Sequence, residues 1–192
     1  MILRNTRNAW GLVSVTFHWV MAALFLGQFG LGWYMQGVPG LVTKFYLYQW
    51  HKSFGLLILG LAVFRALWML TSLRPAFPET MPDGERKIAI STHLILYGLL
   101  FAVPLTGWAV VSTSPLMIPT LVFGWFIMPH LPLSISLSSE QTWSSLHGFL
   151  AYIAIFLAAV HILAAFRHHY HYRDGTLLRM LRPGHGGKRD AP

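Results

Sequence analysis

Five histidines lie within or at the edge of long apolar stretches: His18, His51, His93, His147 and His161. Imidazole can ligate a metal or exchange a proton near neutral pH. An ionisable side chain inside a membrane is costly and by default marks a functional site. His147 and His161 share one stretch and are 14 residues apart. In a helix that interval leaves the two rings within about 40° of one face and about 21 Å apart along the axis. One imidazole towards each membrane surface suits two stacked haem sites, each needing a second imidazole from another helix at matching depth. Haem iron held by His on both faces keeps no position for oxygen, so such a site transfers electrons.

These histidines require helices that cross a bilayer. Of the 192 residues, 55% are hydrophobic and only 10% are charged, against about 25% charged in soluble domains. Segments of roughly 20 apolar residues predict four spans, at about 15–36, 53–73, 88–111 and 142–166. Arg4 and Arg7 precede the first span, Arg74, Arg86 and Lys87 separate the second and third, and six Lys or Arg from Arg167 onward follow the fourth. The other side has only Lys44 and Lys52, and Ser112 to Gln141 has no Lys or Arg. This alternation predicts cytoplasmic N- and C-termini, and it accounts for the net charge of +8 without nucleic-acid binding. Arg4 and Arg7 lead into an apolar run with no small-residue cleavage motif after it, so the first span is expected to be retained. The expected fold is an all-α integral membrane four-helix bundle, one domain over 1–182, with a disordered basic tail over 183–192.

Topology converts position into depth. His18 starts span one inside and His161 ends span four inside. His51 opens span two outside and His147 starts span four outside. The predicted pairs are His18 with His161 at an inner haem and His51 with His147 at an outer one. His93, five residues into span three, also lies near the inner surface and could replace His18; depth alone does not separate them. Taken singly, any of these is equally well an interface histidine, but four at paired depths on three helices point to ligation. A His-based metal or proton transporter would add Asp or Glu within its spans, and there is none. The chain has no Cys, which excludes disulfides, iron–sulfur clusters and c-type haem attachment.

Other residues have candidate roles around these sites. Arg65, inside span two, either snorkels to the interface or meets a propionate of the inner haem; Lys52 could serve the outer haem in the same way. His168, His169 and His171 follow span four as basic anchors or as a quinone or proton-exchange site, a role that His93 could also take. His130 and His185 have no assigned role. Gly27, Gly30, Gly32, Gly55, Gly60 and Gly148 could admit flat macrocycles or neighbouring helices. Trp and Tyr near the span ends form interfacial belts. The outer connection 112–141 contains Pro115, Pro119, Pro129, Pro132 and the apolar stretch Leu121–Met128. It is expected in the outer interface or folded over the bundle mouth.

Arg7 to Trp19, with His18-Trp19, resembles the start of prokaryotic cytochrome b561 proteins. His51-Lys52-Ser53-Phe54-Gly55 and His93 through Pro104 to Gly107 are similar to that family too. The fourth span fits best, from His147 through His161 and His168-His169-Tyr170 to Arg173-Asp174-Gly175-Thr176-Leu177-Leu178-Arg179-Met180. The resemblance implies a four-helix protein of the bacterial inner membrane with two haem b groups, and carried over by motif its ligands are His18, His51, His147 and His161, which favours His18 over His93. It further implies an oxidoreductase that moves electrons between an outer donor, superoxide for one member, and ubiquinone or a related quinone. The alternative is a haem-bearing membrane anchor subunit with a dehydrogenase or hydrogenase as partner. The outer connection departs from what a superoxide-oxidising member would need, because an anionic substrate favours positive charge at the mouth and only Lys44 and Lys52 could supply it.

Overall fold

A computed structural model describes residues 2–78 and 81–184 of the chain. The tail expected from Pro183 therefore lies, beyond Gly184, outside the described residues. Four long helices dominate: α1 (Leu12–Gly37), α2 (Leu41–Thr71), α3 (Asp83–Thr113) and α4 (Leu137–Arg167). Each is long and apolar enough to cross a membrane. Large apolar side chains such as Trp33, Phe64, Leu94, Phe149 and Leu163 stand more than 60% exposed along them, a surface that needs lipid rather than water around it.

The helices outrun the apolar segments, because hydropathy marks contact with lipid whereas backbone hydrogen bonding continues through polar turns. α2 begins at Leu41 and takes in Lys44, Gln49 and Lys52, so His51 stands ten residues inside the helix and does not open it. The helix ends have identifiable causes. Asn5 Oδ1 accepts the Gly11 N–H (2.9 Å) and the Ser14 hydroxyl (2.7 Å) at the start of α1. A Cβ on Gly11 would fall 2.4 Å from the Leu3 carbonyl, so the chain can fold back there only through glycine. Asp83 and Glu85 occupy the first turn of α3, where carboxylates complement the helix dipole. Ser136 Oγ accepts the Ser139 N–H (3.0 Å) as the cap of α4.

The chain divides into two compact units, and each takes a stretch of all four long helices. The first comprises Met1–Met21, Val63–Leu96 and Phe156–Pro192; the second comprises Ala22–Ala62 and Tyr97–Ile155. In the first, the N-terminal segment is tied to the α2–α3 connection by Asn5 Nδ2 to Leu73 O and Ala76 N to Arg7 O, both 2.9 Å. α4 runs on into a π-helical turn, His168–Tyr172, which ends at Arg173 in the left-handed region (φ 52°) before a short α5 (Thr176–Leu181).

In the second unit the expected apolar stretch Leu121–Met128 is a β-hairpin, β1 (Thr120–Val122) paired antiparallel with β2 (Phe126–Met128). Phe123 (φ 50°) and Gly124 (φ 77°) both have positive φ and Trp125 N donates to Val122 O, a tight turn inside the three-residue loop that joins Val122 to its strand partner Phe126. Side chains of α2 hold the hairpin. Gln49 donates to Pro119 O and accepts from Leu121 N, and Ser53 Oγ donates to Leu121 O and accepts from Phe123 N. Gln49 and Ser53 are buried, so these bonds replace water at otherwise bare backbone groups.

Candidate functional site

Two histidine clusters form, one inside each unit. In the second unit the rings of His51 (α2) and His147 (α4) have their centres 6.2 Å apart at 89°. His147 Nδ1 lies 2.9 Å from the Val103 carbonyl of α3 and 3.3 Å from Thr106 Oγ1. A carbonyl can only accept, so Nδ1 carries the proton and Nε2 presents a lone pair, as second-shell bonding fixes the tautomer of metal-ligating histidines. Gln28 Nε2 donates to the backbone carbonyl of His51, while the buried Nδ1 of His51 has no hydrogen-bond partner. Burial of that ring is therefore not compensated by the protein alone.

Glycines make room for both rings. A Cβ on Gly32 would stand 2.9 Å from His51 Cε1, and one on Gly107 would stand 3.0 Å from His147 Cε1. Gly32 is one of the glycines that the sequence marks for such a role; Gly107, three residues beyond the helix-interior Pro104, and the polar Gln28 and Thr106 carry no such mark in the sequence. A cavity of about 420 Å³ adjoins the two histidines, lined among others by Phe25, Trp33, Trp108, Gly107 and Gly148. Lys52 lines it too, although its ammonium donates to Pro119 O (3.1 Å). An apolar cavity with small residues beneath opposed imidazoles fits a flat macrocycle.

In the first unit His18 (α1) and His161 (α4) have ring centres 6.3 Å apart. His93 (α3) approaches His161 more closely, 5.0 Å between centres, and its Nδ1 is 2.6 Å from the Ala89 carbonyl of its own helix. Two imidazoles on opposite faces of one metal, with metal–nitrogen bonds of about 2 Å, have ring centres roughly 6 Å apart. His18–His161 and His51–His147 both match that span and His93–His161 is too short for it. Arg65 brings its guanidinium to within 3.4 Å of His18 Nδ1 and 3.9 Å of Met21 Sδ, so its charge belongs to the cluster of His18 and His161. Among the described residues no three His, Asp or Glu side chains gather so as to hold a bare metal ion.

The histidines after α4 separate from one another. His169 lies against Tyr170, 4.9 Å between ring centres, and His171 against Tyr172. His168 instead sits between carboxylates, 2.6 Å from Asp174 Oδ2 and 3.8 Å from Glu85 Oε2. Glu85 also meets Arg167 (3.3 Å) and the Tyr172 hydroxyl (2.7 Å). Neither carboxylate was singled out from sequence, because the two are 89 residues apart and neither is within an apolar run.

Residues 9–183 match the family described as prokaryotic cytochrome b561. The chain is 35% identical over 188 residues to cytochrome b561 homolog 2 of Escherichia coli (strain K12), covering 94% of this chain and 95% of that one. It is 29% identical to a probable superoxide oxidase CybB of Yersinia pestis (88% and 93% covered) and 26% identical to cytochrome b561 homolog 1 of Escherichia coli (strain K12) (91% and 97% covered).

Proposed function

Since this chain belongs to the prokaryotic cytochrome b561 family, we propose that it holds two haem b groups, one between His18 and His161 and one between His51 and His147. Membership makes it a haem b-binding electron carrier of a bacterial membrane, and its four long apolar helices make it multi-pass. The count of two and the identity of the ligands are supported above all by one observation, the ring spacing of 6.3 Å and 6.2 Å that recurs in separate units on different helix pairs. Haem held by these histidines would supply one-electron transfer.

The residues of the chain then have distinct tasks. Val103 and Thr106 orient His147, Gly32 and Gly107 clear the space its ring and that of His51 occupy, and Arg65 supplies positive charge for an anionic propionate at the His18–His161 site. Lys52 serves the other site in the same way. The distribution of Lys and Arg supports cytoplasmic termini in a protein of the inner membrane. Electrons pass between a one-electron donor on the outer side and a membrane quinone. Superoxide is the candidate donor that the name of one relative offers. His93, His168 and His169 are the candidates for quinone or proton exchange.

Haem content per chain tests the assignment. The purified protein should contain two haem b per chain by pyridine haemochrome assay, and haem reduced through the protein should be reoxidised by a ubiquinone analogue. One haem per chain, or a colourless protein after expression with ample haem supply, would overturn it.

A further inference from the structure

The polar groups that neither histidine pair employs gather around His168, the first residue of the π-helical turn. Its two ring nitrogens face unlike carboxylates. Asp174, only 4% exposed, lies 2.6 Å from Nδ1 and also accepts the Thr176 N–H (2.9 Å). Burial works against ionisation of Asp174, but hydrogen bonds from Thr176 and His168 outweigh it and hold its pKa below the ordinary 3.8. An ionised carboxylate at Nδ1 fixes the ring proton on that nitrogen and leaves Nε2 as the one that exchanges.

Nε2 faces Glu85, 3.8 Å away. Glu85 is pinned through Oε1, by Arg167 and by the Tyr172 hydroxyl, while its buried Oε2 has no hydrogen-bond partner. Exposure rises in order along the chain of groups, from 4% at Asp174 to 13% at His168, 22% at Glu85 and 58% at Arg167. A histidine fixed at its buried end and open at the other, with a carboxylate between it and water, has the form of a proton conduit. An ion pair that merely staples α3 to the end of α4 would need neither a second Glu85 oxygen turned to His168 nor the oriented ring, and Arg167–Glu85 already provides that staple.

We propose that His168 hands protons to the quinone, with Asp174 as its positioning residue and Glu85 as its link to bulk water. This rests on the quinone reading given above. Conversion of one quinone to quinol takes two electrons, delivered singly, and two protons. Each new O–H bond forms as an N–H bond at His168 Nε2 breaks, and Nε2 regains its proton from water by way of Glu85. The turn carrying His168 is of the wide, five-residue type that recurs at functional positions.

The test uses the full-length, haem-loaded protein, pre-reduced and mixed with decylubiquinone, with haem reoxidation followed in a stopped-flow spectrometer. General acid catalysis is worth at least about a hundredfold, so His168→Gln should slow reoxidation by about that factor. Haem content and visible spectrum should stay at the values of the unaltered protein. Added imidazole should restore the rate in His168→Gly, and Asp174→Asn should slow reoxidation without loss of haem. If His168→Gln itself loses haem, Glu85→Gln, at the exposed end, carries the same expectation of slowing. Reoxidation at the unaltered rate in these variants, or no rescue by imidazole, overturns the conduit. Failure of the unaltered protein to be reoxidised at all overturns the quinone reading and the conduit with it, and is visible before any variant is made.

Discussion

At the scale of single residues, spacing separates three otherwise similar histidines. His18 and His93 both approach His161, but only His18 does so at the distance two imidazoles keep across one metal. Removing His18 or His161 should therefore cost one haem per chain, removing His51 or His147 should cost the other, and His93→Ala should keep both; pyridine haemochrome titration of the five alanine variants measures this directly. A second expectation concerns the glycines. Gly107→Ala puts a methyl group 3.0 Å from the His147 ring with α3 backbone behind it, closer than carbon atoms settle without a shift. The variant should lose haem from the His51–His147 site on mild heating, whereas Gly60→Ala, whose Cβ meets nothing within 4 Å, should not. The histidines were legible in the sequence because an imidazole in an apolar run is conspicuous and topology assigns its depth. Gly107 was not, because a glycine shows its purpose only when the ring it accommodates is in place.

At the scale of elements, polar side chains decide what hydropathy cannot. Leu121–Met128 is apolar throughout, which suggested a segment lying in the interface or over the bundle. It is a hairpin because Phe123-Gly124 makes a tight turn and Gln49 and Ser53, both buried and distant in sequence, take up its backbone groups. Ser53→Ala should leave Phe123 N and Leu121 O without partners at a cost of about 1–3 kcal/mol each. The expected outcome is a lower melting temperature and faster proteolysis within 112–136, measured in detergent. The turn after α4 has its own signature. Asp174 titrates below 3.8 in the folded protein, so its contribution is complete at neutral pH. That contribution is lost as the pH falls through 3.8 and on to the depressed folded value. Asp174→Asn should lower the melting temperature at pH 7, and the gap from the unaltered protein should close in strong acid. The sequence does not reveal that Asp174 and Glu85 flank one histidine, since a meeting at His168 of residues 89 positions apart has no local pattern.

At the scale of the whole chain, the sequence was most informative. Four apolar runs are enough to require four lipid-crossing helices, and the structure supplies them with longer, polar extensions such as residues 41–52 of α2. The Lys and Arg distribution predicts that both termini face the cytoplasm. Because the chain has no cysteine, single substitutions make clean reporters. Ser134→Cys should react with a membrane-impermeant maleimide in intact spheroplasts, and Asn8→Cys only after permeabilisation; the reverse pattern would invert the protein and exchange which site faces the outer donor.

One turn of α2 carries Gln49, Lys52 and Ser53, which grip the hairpin, and His51 stands among them with its ring against His147. Anchor and imidazole are thus neighbours on the same rigid rod. A load applied to the hairpin, for instance at the 86% exposed Trp125, enters α2 through Gln49, Lys52 and Ser53, the very turn that carries the imidazole.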